Sequence, residues 1–183
     1  MKLPKFLFLL GFLASFIFPS SIAGNESRTN ELIDKLQSST TQETKVIERR
    51  ILSYWMDSGS EEINSLLDQS IQYMNGGQFQ ASLKILDYIV VNRPEFAEGW
   101  NIRATLHYLM LNYDLSIDDI NRTLKLNPKH FGALNGLAMI YENTGQKIKA
   151  LEAYEAVFQI SPNRYGIRGA IDRLKKELMS NSI

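Results

Sequence analysis

Cysteine is absent from the 183 residues, which excludes disulfides, thiol catalysis, thiolate-bound metals and a lipid-modified cysteine. Histidine is scarce: His107 and His130 are the only two, and their separation fits no HExxH site. Net charge of one sign is missing as well, since 20 basic side chains balance 20 acidic ones. That balance argues against a nucleic-acid binder, which needs a basic face to neutralise phosphates, so no nucleic-acid partner is expected. No GxSxG, P-loop or GxGxxG string occurs. Gly76-Gly77 lies between helix-patterned stretches with no strand before it and reads as a turn. Asp118-Asp119 is a carboxylate pair in sequence only, because adjacent helical residues point about 100° apart; both read as a solvated face. The expectation is a non-enzymatic protein with no metal and no cofactor. The sequons Asn25-Glu26-Ser27 and Asn121-Arg122-Thr123 would matter only in a glycosylating host, and the second falls in a predicted helix.

What is present is a globular composition, 44% hydrophobic and 22% charged, in a length that suits one domain. Lys2 and Lys5 precede an uninterrupted apolar run over 6–18, shorter than the roughly 20 residues that cross a bilayer but suited to a signal-peptide core. Pro19 breaks it, and Ser21-Ile22-Ala23 supplies small residues for cleavage before Gly24. Residues 1–23 are therefore expected to be a signal peptide. The remaining chain would be exported, periplasmic or secreted, without a stable membrane anchor. Removing Lys2 and Lys5 leaves 18 basic and 20 acidic side chains.

Residues 24–30 show no period and read as a loose start. Helical spacing begins over 31–37 and 46–56, through Leu32 and Leu36, then Ile47, Ile51, Tyr54 and Trp55. Thr40 and Glu43 form a capping box between them, and Ser58 with Glu61 reads as a second one. The hairpin over 24–60 is expected to cap the N-terminal end of a repeat array. In that array Pro94, Pro128 and Pro162 recur at intervals of 34 residues, each ending a helix. Three helix pairs are predicted, over about 63–96, 97–130 and 131–162, turning near Gly76-Gly77, Leu111-Asn112 and Gly145. The second turn lacks glycine, and Asn112 is the residue expected to take its left-handed conformation. A last helix over 163–179 carries Ile167, Ile171, Leu174 and Leu178 on one stripe and charge on the other, as a solvating cap does.

This pattern resembles the tetratricopeptide repeat family. Its large early position is filled by Leu66, Trp100 and Leu134, and its small crossing position by Ser70, Ala104 and Ala138. Ser82, Ser116 and Ala150 face these from the second helices, because antiparallel helices approach to about 8–10 Å only over small residues. Tyr73, His107 and Tyr141 take the aromatic site; Leu86, Ile120 and Tyr154 the large site opposite. Gln69 and Arg103 depart from the usual leucine, and Lys147 from an aromatic; Arg103 either pairs with a neighbouring acid or reaches the groove. The stretches around Trp100 and from Lys129 to Leu137 are also similar to small exported alphaproteobacterial members of the family. The fold so implied is all-α: a right-handed α-solenoid of antiparallel helix pairs with capping helices at both ends.

The resemblance further implies a concave groove lined by the first helix of each pair. In the first repeat its positions are Leu67, Ile71 and Met74, with Asn64, Asp68 and Asn75 beside them. The second supplies Glu98, Asn101, Thr105 and Tyr108, with Ile102 and Leu109; the third Asn135, Met139 and Glu142, with Gly132, Gly136 and Asn143. None is Lys or Arg, which argues against a clamp for a partner's C-terminal carboxylate. An apolar or mildly basic protein segment fits better. Asn101 and Asn135 are candidates for bonding its backbone, and Tyr108 and Met74 for side-chain contact. Ile71, Ile102 and Met139 either line the groove or pack between helices. The function implied is an exported adaptor that binds protein. The alternatives are a structural subunit forming homo-oligomers or joining an envelope complex, and a secreted effector acting on a host protein.

Overall fold

The computed structural model describes residues 20–180, with side chains from residue 25. The apolar run over 6–18 and the preceding lysines lie outside the described residues. Among those described there are nine helices and no strand: α1 (Ser20–Leu36), α2 (Thr41–Trp55), α3 (Glu61–Asn75), α4 (Phe79–Asn92), α5 (Ala97–Leu109), α6 (Tyr113–Leu126), α7 (Phe131–Asn143), α8 (Lys147–Ile160) and α9 (Ile167–Ser180). Pairs α3–α4, α5–α6 and α7–α8 are the three repeats, and α9 packs on α8. None of the described helices is long and apolar enough to cross a membrane.

Small residues hold each pair together. Ser70 with Ser82, Ala104 with Ser116 and Ala138 with Ala150 are all buried, and their size lets the backbones close. Leu86, Ile120 and Tyr154 are buried beside them. Proline ends each second helix by acting on the residue before it: Arg93, Asn127 and Ser161 have φ of −137°, −138° and −137°, outside the helical region. The turns within pairs require a positive φ, found at Gly77 (73°), Leu111 (61°) and Gly145 (72°). Leu111 thus takes the conformation expected of Asn112, which instead precedes α6 with φ −84°. The turn's left-handed residue falls one place earlier, in step with the two glycines.

The N-terminal segment differs from expectation in two ways. Residues 24–30 are helical, part of α1, because Thr29 begins the buried stripe that Ile33 and Leu36 continue. The Thr40–Glu43 capping box forms. The second box does not: Ser60 caps α3, while Ser58 is buried and its hydroxyl donates to Asn64 Oδ1 at 2.6 Å. Gly59 turns left-handed between them, which shifts the cap by two residues.

The hairpin α1–α2 also packs elsewhere than on the first repeat. Its Ile33, Leu36 and Ile51 share one core with Phe131, Ala138, Val157 and Leu174 of the third repeat and α9, whereas α3 and α4 have a separate core. It lies along the turns between repeats. Gln37 donates to the Gln159 carbonyl at 2.7 Å, Asn163 to the Ser39 carbonyl at 2.7 Å, and Arg164 pairs with Glu48 at 2.7 Å. Arg93 reaches the Ser58 carbonyl at 2.8 Å. α9 starts later than residue 163 because Gly166, at φ 83°, interrupts the backbone; its Ile167, Ile171 and Leu174 are buried as the stripe predicts.

Candidate functional site: the concave groove

α5 and α7 form the walls of an open cleft of ≈ 240 Å³, with α6 contributing to its floor. Asn101, Thr105, Tyr108 and Leu109 stand on one side, and Gly132, Asn135, Gly136 and Met139 on the other. The floor is Ala104, Ala133, Ser116 and Ile120. Ser116 donates to the Ala104 carbonyl at 2.7 Å, so the hydroxyl of this floor is already satisfied. The cleft stays open because Gly136 has no side chain; a Cβ there would stand over Ile120 at 3.6 Å.

A second hollow of ≈ 380 Å³ shares Tyr108, Asn135 and Met139 and extends to α9. Its far side is Glu142, Asn143 and Tyr154 with Tyr165, Gly166, Ile167 and Ala170. Asn143 donates to the Tyr108 hydroxyl at 3.0 Å. Glu142 is held on both oxygens, by the Tyr154 hydroxyl at 2.7 Å and by Arg173 at 2.7 Å. Burial, then the bond to Glu142, pushes the Tyr154 phenol well above its ordinary value, so it stays a donor.

Of the residues expected to line the groove, Asn101, Thr105, Tyr108, Asn135 and Met139 come together in the cleft, and Glu142 borders the second hollow. Leu67 and Met74 do not line this cleft. Both are buried in the core of α3 and α4, against which Ile71 and Ile102 also pack and to which α5 adds Leu106. Glu98 is buried too, bonded to Asn101 and His130. The register of the three repeats missed the α9 residues of the second hollow. Gly166 and Ala170 stand 34 residues after Gly132 and Gly136, so carrying the period past Pro162 would have found them.

Behind the groove lie two buried polar clusters. Arg103 pairs with an acid, the first of its two expected options, by two bonds of 2.8 Å to Asp119 and one of 2.8 Å to Asp87. It also lies over the Trp100 ring, 4.9 Å from its centroid. Asp119 is therefore not the solvated acid its sequence context suggests: it is buried, facing a cation across α5–α6. His107 is buried beside it, with Nε2 3.9 Å from Asp119 and Nδ1 unpartnered. Burial is the main cause that lowers the His107 pKa, aided by Arg103 and opposed by Asp119. In the second cluster His130 accepts from the Ala133 N–H through Nδ1 at 3.1 Å and meets Glu98 Oε2 through Nε2 at 2.9 Å. The Trp55 ring stacks on it at 4.3 Å.

Comparison with known proteins agrees with this geometry. A tetratricopeptide repeat model matches residues 120–152. A TPR repeat-containing protein of Rhizobium etli is 37% identical over 127 residues, covering 69% of this chain and 62% of that protein. One from Methanocaldococcus jannaschii is 24% identical over 102 residues, covering 56% of this chain and 18% of its own length. The chain thus spans less than two thirds of these relatives. Among solved structures, the first TPR of Spaghetti (RPAP3) bound to an HSP90 peptide superposes with a TM-score of 0.61 at 16% identity, covering 66% of this chain and 95% of that one. The Yersinia enterocolitica type III secretion chaperone SycD, in complex with a peptide of the translocator YopD, gives 0.60 at 13%, covering 64% and 95%. MamA gives 0.59 at 22%, covering 79% and 83%. Stacked helix pairs around an open concave face define an all-α solenoid. The chain has the fold of tetratricopeptide repeat proteins and matches that repeat's model over residues 120–152.

Proposed function

We propose that this protein is an exported, non-enzymatic adaptor that holds an extended protein segment in the cleft between α5 and α7. The observation that carries this reading is the cleft itself. It is apolar at its floor, lined by Asn101 and Asn135 at matching register, and kept open by a glycine. Peptides bound to SycD and to the RPAP3 domain support a peptide as the occupant. An apolar or mildly basic segment suits it best, since the cleft walls hold no cation. Export rests on Lys2, Lys5, the apolar run over 6–18 and the cleavage-compatible Ser21-Ile22-Ala23.

Gly136→Leu separates binding from folding. Its Cβ meets only an ordinary contact at 3.6 Å, and leaving glycine favours the helix by about 0.5–1 kcal/mol, so melting temperature should hold or rise. The Leu side chain should fill the cleft and abolish capture of the partner that wild type retrieves from envelope or culture-supernatant extracts. Asn101→Ala with Tyr108→Ala should do the same. Capture that survives all three changes refutes the groove; detection of the chain in the cytoplasm alone, uncleaved, refutes export.

A further inference from the structure

Glu98 and His130 form a side-chain pair whose members are 4% and 1% exposed, 32 residues apart in sequence, directly behind the cleft. The fold does not demand either residue. The position of His130 in the preceding repeat is Phe96, also buried, and that of Glu98 is Asn64 in one neighbour and Gly132 in the other. Putting a carboxylate and an imidazole in a dry interior is unfavourable unless their bonds are satisfied, so the pair calls for a use.

Its hydrogen bonds run in one direction. The Ala133 N–H donates to Nδ1 of His130, so Nε2 carries the proton and donates to Glu98 Oε2. The other oxygen of Glu98 accepts Nδ2 of Asn101 at 2.9 Å. A carboxylate only accepts, so the Asn101 carboxamide has one allowed orientation, with its NH2 toward Glu98 and its Oδ1 away. Trp55 covers the imidazole from the hairpin. His130 also shapes the opposite wall: a Cβ on Gly132 would come within 3.2 Å of its ring. Asn135, one repeat on, has no such partner; its Nδ2 meets only the Met139 sulfur at 3.4 Å.

We infer that Glu98 and His130 are positioning residues of the groove, which lock Asn101 so that its oxygen is the group offered to the partner. Resting on the groove as the binding site, this makes Asn101 an acceptor. It selects a partner that presents an N–H there, such as the main-chain amide of an extended segment, and disfavours a carbonyl or carboxylate. Asn135, unlocked, serves either polarity.

Glu98→Gln tests it without a partner. The carboxamide introduced by Glu98→Gln must turn its oxygen to His130 and its NH2 to Asn101, which reverses the Asn101 side chain. In 15N-labelled protein the Asn101 side-chain amide should show a downfield, exchange-protected proton in wild type and lose both features in Glu98→Gln. The Ala133 amide, still capped by His130, should keep its protection. Where Glu98→Gln fails to fold, Asn101→Asp and Asn135→Asp decide. The first places a carboxylate against Glu98 and should lower the melting temperature, and the second should leave it unchanged. An Asn101 resonance that exchanges freely in wild type, one unmoved by Glu98→Gln, or equal melting temperatures for the two aspartate variants overturns the inference. Each result is independent of the capture experiment, so either proposal can fail alone.

Discussion

His107 and His130 are both buried, yet they occupy opposite kinds of site. His107 stands where the flanking repeats have Tyr73 and Tyr141, and it leaves a ring nitrogen without a partner. His130 has both nitrogens engaged, one capping α7 and one on Glu98. The first is a tolerated substitute in a packing position; the second is a junction of the hairpin, the start of α7 and the groove. Residue type and burial are the same, so the bonds alone distinguish the two.

That contrast predicts a wide gap in stability. His130→Ala should be the most damaging single change, about 4 kcal/mol, because it removes a helix cap, leaves Glu98 short of a partner and hollows the site under Trp55. Urea unfolding measures it, and a loss below about 1 kcal/mol would show that the junction is not structural. Asp119→Ala should come next, at about 2 kcal/mol, since Arg103 keeps only the more exposed Asp87. Arg103→Leu with Asp119→Leu should recover much of that loss, as apolar replacement of a buried pair often does.

His107→Tyr should have the smallest effect at neutral pH, within about 1 kcal/mol, because the orphaned nitrogen disappears. Its signature is in pH dependence. The folded pKa of His107 lies below the ordinary 6.5, so the unfolded chain takes up its proton first on acidification. The stability is present above 6.5 and drains away as pH falls from there toward the lower folded value. Unfolding midpoints of wild type should therefore fall between about pH 7.5 and 5.5 more than those of His107→Tyr. Equal slopes would mean that His107 reaches water when folded.

The repeats were legible because their signals are local or periodic. Small residues at 70, 104 and 138 and prolines at 94, 128 and 162 state the helix crossings and the helix ends directly. The Leu111 turn was legible in principle, standing 34 residues from both Gly77 and Gly145. Read by residue preference instead of register, it went to Asn112, since a leucine with positive φ is unfavourable by roughly 1 kcal/mol. In the groove, register named Asn101, Thr105, Tyr108, Asn135 and Met139, which line one cleft. It could not tell Leu67, Met74 and Glu98 from them. A helix position states a direction, and only the neighbour in that direction decides whether it meets solvent or a core.

The sequence alone determined the helices of the three repeats and their pairing, because each depends on backbone limits and side-chain size within one 34-residue unit. Tertiary structure decided the rest. It set the hairpin on the third repeat, drew Asp119 into a buried ion pair, extended the groove to α9 and joined His130 to Glu98. Each of these joins polar or apolar groups far apart in the chain, and the energy that selects them exists only once both surfaces leave water together.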